Sequence, residues 1–272
     1  MNYLVDTHCH LHDREFFSEK QAEEMLERAH KRGVKQIICI GTNHEDSLRA
    51  KEFAEKHEDV FWTYGVHPEY AKEKWVRPEK SLLKSPKLVA IGEVGLDYHY
   101  AGYDREAQIK LLEEMLELAV DYGLPCSFHV RDAFDDFKEV VWPVVAEGRL
   151  KQSVLHSFSD SEENLWKGLD VLNCYIGVNG MATFANLDYL ESDKLNAFFV
   201  RSRCLLETDA PFLTPEPNRG KINEPGNVKD VAAWLSKKFE ITEAQVAEWT
   251  TKNAKQVFNL PNPRPSAGEA RA

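Results

Sequence analysis

Eight short apolar runs, most of them followed by a polar turn and a helix-forming stretch, constrain this chain more than any other feature of its sequence. They lie at 3–11, 36–40, 60–64, 87–91, 125–130, 153–156, 173–178 and 203–207. Between them, residues 18–32 place Ala22, Met25, Leu26 and Ala29 at helical spacing, opened by Ser18 and closed by Gly33. A second helix ends near His57, and a long one from Arg105 to Tyr122 carries the stripe Ile109, Leu112, Leu116 and Ala119. Strand and helix in alternation predict parallel βαβ units, and eight such units in 272 residues predict a single TIM-type (β/α)8 barrel of the α/β class. The competing open, doubly wound sheet expects a glycine-rich phosphate turn after its first strand, and residues 6–12 contain no glycine.

Extra C-terminal helices are expected near 227–238 and 242–258, after a Pro-, Asn- and Gly-rich loop from Pro211 to Asn227 that reads as cover for the barrel mouth. Residues 1–260 are thus read as one barrel domain, and 261–272, with three prolines and small polar residues, as a disordered tail.

Composition narrows the function. No apolar run reaches the roughly 20 residues of a membrane span, and nothing at the N-terminus reads as a secretory leader. Cys9, Cys39, Cys126, Cys174 and Cys204 include no Cys-x-x-Cys and sit mostly in apolar runs, so they read as reduced core residues of a cytoplasmic protein. The formal charge of −11, without a block of Lys and Arg, argues against a long DNA footprint. A strand end, a short oligonucleotide or a small anion remains compatible, because bound cations reverse the sign of a site locally.

The chemistry sits at the strand ends. His8 and His10 share one face of the first strand while Cys9 takes the other. His12 continues that parity, but past Leu11 and beside Asp13 it reads as a solvated loop histidine. Glu93 ends strand four, His129 strand five, His156 strand six and Asp209 strand eight. Singly, each has a plain reading: a polar strand end, a hydrogen-bonded rim histidine, a turn residue between glycines, a turn cap before Ala-Pro. Together, six metal-capable residues at the carboxyl ends of barrel strands, where this fold builds its active sites, predict a two-metal hydrolytic centre bridged by Glu93.

The stretches holding these residues resemble the TatD family of metal-dependent hydrolases, within the wider amidohydrolase group. They are Asp-Thr-His-Cys-His-Leu at 6–11, Gly-Val-His-Pro at 65–68, Ile-Gly-Glu-Val-Gly-Leu-Asp-Tyr at 91–98, His-Val-Arg at 129–131, His-Ser-Phe at 156–158, Glu-Thr-Asp-Ala-Pro at 207–211 and Asn-Glu-Pro at 223–225. The resemblance runs from Tyr3 to about Leu260, and its metal positions fall on His8, His10, Glu93, His129, His156 and Asp209. It implies a barrel of the metal-dependent hydrolase kind and a deoxyribonuclease that removes nucleotides from 3′ ends. Three positions depart from the family pattern: Asp160 in place of glycine, Glu69 in place of histidine and Ile222 in place of arginine. Together they lower the expected affinity for a phosphate backbone, although Asp160, with Ser159 and Glu162, also reads as a helix cap.

The mechanism expected from these residues is attack by a metal-activated hydroxide on a phosphodiester, with Asp209 and Glu93 as the catalytic residues. Asp209 orients the water and accepts its proton. The ligand chemistry suits two divalent ions, from zinc, manganese, magnesium, nickel or iron, without choosing among them. Arg131 and His67 are expected substrate contacts, and Glu207 is expected to orient a ligating histidine. Tyr98, Tyr100 and Tyr103 offer base stacking or, more simply, loop packing. The expected partners are DNA ends or short oligonucleotides, with no membrane and no obligate protein partner. Two rivals stand: a metal-dependent amidase, deacylase or lactonase, since the same chemistry attacks carbonyls, and a regulatory component with a vestigial site.

Overall fold

A computed structural model describes residues 3–263. The tail expected from Pro261 lies outside the described residues beyond Pro263. Among the described residues the elements run β1 (Leu4–Cys9), α1 (Glu19–Lys31), β2 (Val34–Cys39), α2 (His44–Lys56), β3 (Val60–Tyr64), α3 (Lys80–Leu83), β4 (Leu88–Asp97), α4 (Arg105–Tyr122) and β5 (Cys126–Arg131). There follow α5 (Phe134–Ala146), β6 (Val154–Leu155), α6 (Glu162–Trp166), β7 (Tyr175–Val178), α7 (Ala197–Ser202), β8 (Cys204–Leu206), α8 (Val228–Lys238) and α9 (Glu243–Phe258). The strands pair in parallel in the order β1 to β8.

Closure is made by the segment after β8. Asp209 N donates to His8 O at 2.8 Å, and His10 N donates to Ala210 O at 2.7 Å. Thr208 reinforces the seam, its hydroxyl donating to Asp6 Oδ2 at 2.6 Å and its amide to Asp6 Oδ1 at 2.9 Å. The eight-stranded TIM-type barrel predicted from the alternation is therefore present, nearly closed, with helices between its strands.

Local chemistry sets the helix ends as expected. Ser18 caps α1 in a reciprocal capping box with Gln21, and Gly123 ends α4 at a φ of 61°, a left-handed conformation that suits glycine. The long loop over the mouth is also found, since no strand or α-helix spans the residues between β8 and α8.

Three local expectations are corrected. First, β4 does not stop at 91 but runs on to Asp97, so Glu93 lies within a strand rather than in a turn. A register shift between Ile91 and Val94 keeps β4 paired, and a Cβ on Gly95 would come within 1.8 Å of His129 O, so only glycine allows β4 to lie this close to β5. Second, β8 ends at Leu206, and Asp209 stands beyond it at a φ of 56°. Third, the cap of α6 is Ser161, whose side chain accepts from Asn164 N. Asp160 supports that turn by accepting from Ser161 N and Asn164 Nδ2.

Two apolar clusters hold the fold. The larger packs the helices on the outside of the barrel. The smaller gathers Val5, Phe61, Val89, Val154, Tyr175 and Leu205, each the first or second residue of its strand, against Ala254, Val257 and Phe258 of α9. This plug fills the amino end and leaves the carboxyl end to the ionisable residues.

Candidate metal centre

All six residues expected as ligands converge at the carboxyl end. Glu93 organises them, because its two oxygens face different partners. Oε2 lies 3.4 Å from His8 Nε2 and 3.9 Å from His10 Nε2, and Asp209 Oδ1 stands 3.5 Å from each of those nitrogens. Oε1 lies 2.9 Å from His129 Nδ1 and 3.3 Å from His156 Nε2. Donor atoms each about 2.1 Å from one ion in tetrahedral array are about 3.4 Å apart, so most of these spacings are those of ligands around a cation.

Unmet polar atoms make the same point. Both ring nitrogens of His8 are buried without a hydrogen-bond partner, although two carboxylates stand within 3.5 Å of Nε2. A buried imidazole left this way requires an explanation, and an ion between it and the carboxylates supplies one. The residues present therefore fit divalent metal on both sides of Glu93.

Further side chains hold the ligands in place. Asp97 Oδ2 lies 2.9 Å from His129 Nε2, which leaves Nδ1 turned toward Glu93. Glu207 Oε1 lies 3.2 Å from His156 Nδ1 without a hydrogen bond between them, accepting instead from Ser157 N at 2.6 Å, and a Cβ on Gly177 would strike the Glu207 carboxylate at 2.2 Å. His10 Nδ1 faces Ile40 O at 3.1 Å. Carboxylate or carbonyl partners on the far nitrogen of a histidine are a recurrent feature of metal sites.

Charge follows from this packing. Burial pushes the Glu93 carboxyl up, but His156, His129 and His8 outweigh it and hold it well below the usual carboxylate range. Burial pulls His129 down, while Asp97 and Glu93 overcome it and raise the imidazole to about 9. His156 is likewise lifted well above its ordinary value by Glu207 and Glu93 against burial. His8, by contrast, is lowered, first by burial and then by the neighbouring His156, whose ring stacks on it at 3.5 Å.

The two expected substrate contacts are placed differently. His67 borders the cluster, its Nε2 3.9 Å from Glu93 Oε1, and burial lowers its pKa to about 4. Its Nδ1 accepts from Glu69 N at 3.3 Å, so the neutral ring carries its proton on Nε2. Arg131 donates to Tyr100 OH at 3.4 Å with its guanidinium over that ring, and Tyr100 lines the same cavity as His67 and Asp97. Tyr98 is a packing residue, stacked on Tyr103 and donating to Asp136.

His12 is a correction. It is fully buried rather than solvated, with Nε2 3.1 Å from Asp46 Oδ1, because Thr42 presents Asp46 from the first turn of α2. Sequence reading missed Asp97, Asp46 and Asp6. For Asp97 the available signal was its place four residues after Glu93 in the stretch 91–98, and for Asp6 its place at the head of the stretch 6–11; for Asp46 there was none.

Comparisons with known proteins agree with this site. The chain is 34% identical to the uncharacterized metal-dependent hydrolase YabD of Bacillus subtilis over 94% of its own length and 99% of the relative. It is 32% identical to the 3′-5′ ssDNA/RNA exonuclease TatD of Erwinia tasmaniensis over 89% of its length and 95% of that protein. The crystal structure of YJJV, a TatD homolog from Escherichia coli K12, superposes with a TM-score of 0.80 at 27% identity, covering 95% of this chain and 98% of that one. With the TatD-related DNase family matched across residues 5–259, the chain belongs to that family and is a metal-dependent hydrolase.

Proposed function

We infer that this chain hydrolyses phosphodiester bonds at nucleic-acid ends, acting as a 3′-5′ exonuclease with two divalent ions. The observation that carries the reading is the division of Glu93, with Oε2 toward His8 and His10 and Oε1 toward His129 and His156. His8, His10 and Asp209 would hold one ion and His129 and His156 the other, with Glu93 between them. When bound, such ions supply Lewis acidity and lower the pKa of water toward neutrality.

The residues around them do the rest. Asp209 stands at the open face of the first set, its side chain 14% exposed, where it can orient the attacking water and take its proton. His67 presents its Nε2 proton toward the second set, placed to donate to a phosphoryl oxygen. Asp97 keeps the His129 ring from rotating, and Glu207 places a carboxylate beside His156. A relative named as an exonuclease on single-stranded DNA and RNA supports nucleic acid as the substrate. Five free, buried cysteines fit a reducing, cytoplasmic setting.

End-labelled single-stranded DNA given to metal-stripped protein resupplied with magnesium, manganese or zinc tests the reading. Stepwise loss of 3′ nucleotides, abolished by Asp209→Asn and by Glu93→Gln, is the expected result. A carbonyl-hydrolase reading is favoured by one feature, the groove of about 810 Å³ lined by Asp132, Asp135, Asp136, Asp160 and Asp188. Turnover of amide or lactone substrates with no cleavage of DNA would select it.

A further inference from the structure

A cavity of about 230 Å³ opens beside the cluster between the loops that follow β3 and β4. His67 and Asp97 are the residues it shares with the metal centre, Tyr100 and Tyr103 supply aromatic faces, and Glu69 and Asp104 add carboxylates. The space is smaller than the roughly 300–1,000 Å³ of pockets for drug-sized ligands. It therefore admits one ring-and-sugar unit and not a run of strand.

The other sides of the mouth differ. Phe16 and Phe212, on the loops after β1 and β8, meet edge to face at 5.2 Å and are each close to half exposed. Phe212 lies 6.4 Å from the His10 ring, so this aromatic rim borders the centre on the β1 and β8 side. The groove beside the β5 and β6 loops carries Asp132, Asp135, Asp136, Asp160 and Asp188 against Arg131 and His99, so acidic groups predominate along it. A strand crossing the metal centre thus meets a small cavity on one side and an aromatic rim on the other.

Electrostatics within the cavity add a selection. Three carboxylates, Glu69, Asp97 and Asp104, face a single ammonium, that of Lys72, which donates to Gly102 O at 3.0 Å. A sugar hydroxyl can donate to a carboxylate there. A terminal phosphate would meet like charge from these carboxylates.

We propose that this cavity is the subsite for the terminal nucleoside, and that it accepts an end carrying a free 3′-hydroxyl and rejects one carrying a 3′-phosphate. The proposal rests on the nuclease reading above and specifies its substrate. Tyr100 and Tyr103 offer faces on which the terminal base can stack.

Two measurements on the metal-loaded, full-length protein test it. Calorimetry compares thymidine 5′-monophosphate with thymidine 3′,5′-bisphosphate and needs no turnover. Kinetics compares single-stranded oligonucleotides that differ only in a 3′-hydroxyl or 3′-phosphate. The expected result is a preference for the hydroxyl end of roughly 10-fold or more in both, the scale set by like-charge repulsion. Glu69→Gln, at a side chain 58% exposed and so free of packing roles, should narrow that ratio severalfold. Equal handling of the two ends, preference for the phosphate, or an unchanged ratio in Glu69→Gln would overturn the proposal. If calorimetry shows the preference while neither oligonucleotide is cut with any metal, the subsite stands and the nuclease reading falls.

Discussion

The two ends of the barrel bury their side chains almost equally, yet they are built from opposite chemistries. At the amino end, Val5, Phe61, Val89, Val154, Tyr175 and Leu205 pack on α9. At the carboxyl end, His8, His10, Glu93, His156 and Glu207 are just as buried. Apolar burial stabilises a fold by roughly 25 cal/mol per Å², whereas buried charge costs free energy unless it is paired or coordinates metal. The amino end holds the barrel together, and the carboxyl end depends on what it binds.

The sharpest way to break this contrast is to remove Glu93. Glu93→Gln should lower kcat by roughly 10³-fold, the scale of losing a principal electrostatic contact at a reacting centre, while leaving the metal-free melting temperature unchanged or higher. Rates measured beside thermal unfolding in chelator decide it. A large loss of metal-free stability would mean that the carboxyl end also supports the fold.

Phe61→Ala probes the other end. Deleting a buried phenyl ring costs about 3–5 kcal/mol, which should appear as a marked fall in melting temperature with turnover at 25 °C retained. A variant that kept its stability but lost its activity would dissolve the division between the two ends.

A finer test lies one layer out from the ligands. Asp97→Asn should weaken metal binding roughly 10- to 100-fold, read by competition with a chromophoric chelator, because it releases the His129 ring. Unchanged affinity would show that His129 is held by other contacts.

The smallest effect expected is a pH dependence of the metal-free protein. Burial pulls His12 down, but Asp46 outweighs it and raises the imidazole from its ordinary 6.5 to about 9. The stability from this pair is therefore fully present below about pH 6.5 and is lost as pH rises through about 9. The melting temperature should drop across that window, with His129 and His156, also raised, contributing to the fall, and Asp46→Asn should remove only the part that His12 supplies. Metal-loaded protein should show a growing stabilisation over the same range, since ligands bind metal when deprotonated.

How far the sequence could be read follows from which contacts are local. Strand and helix periodicity marked all eight strands, and the chemical types at their ends marked Glu93 and the five residues gathered around it. What local sequence did not show are contacts that depend on how far a strand runs and how the chain leaves it. Asp97 meets His129 only because β4 continues past Glu93 and pairs with β5 to its end, and Asp209 reaches His8 and His10 from a left-handed conformation beyond β8. His12 was misread because its partner, Asp46, lies 34 residues away. Asp6 joins Thr208 across the closing seam, 202 residues apart. Such pairs exist only once the barrel has closed, so no window of sequence contains them.

The most direct test of the account is the number and position of ions on the protein. Crystals soaked in manganese, measured for anomalous scattering and paired with metal analysis in solution, should show two ions per chain, one on each side of the Glu93 carboxylate, with Glu93→Gln losing at least one. A single ion per chain, or two ions with Glu93 ligating neither, would contradict the central claim that this carboxylate divides and joins a two-metal site.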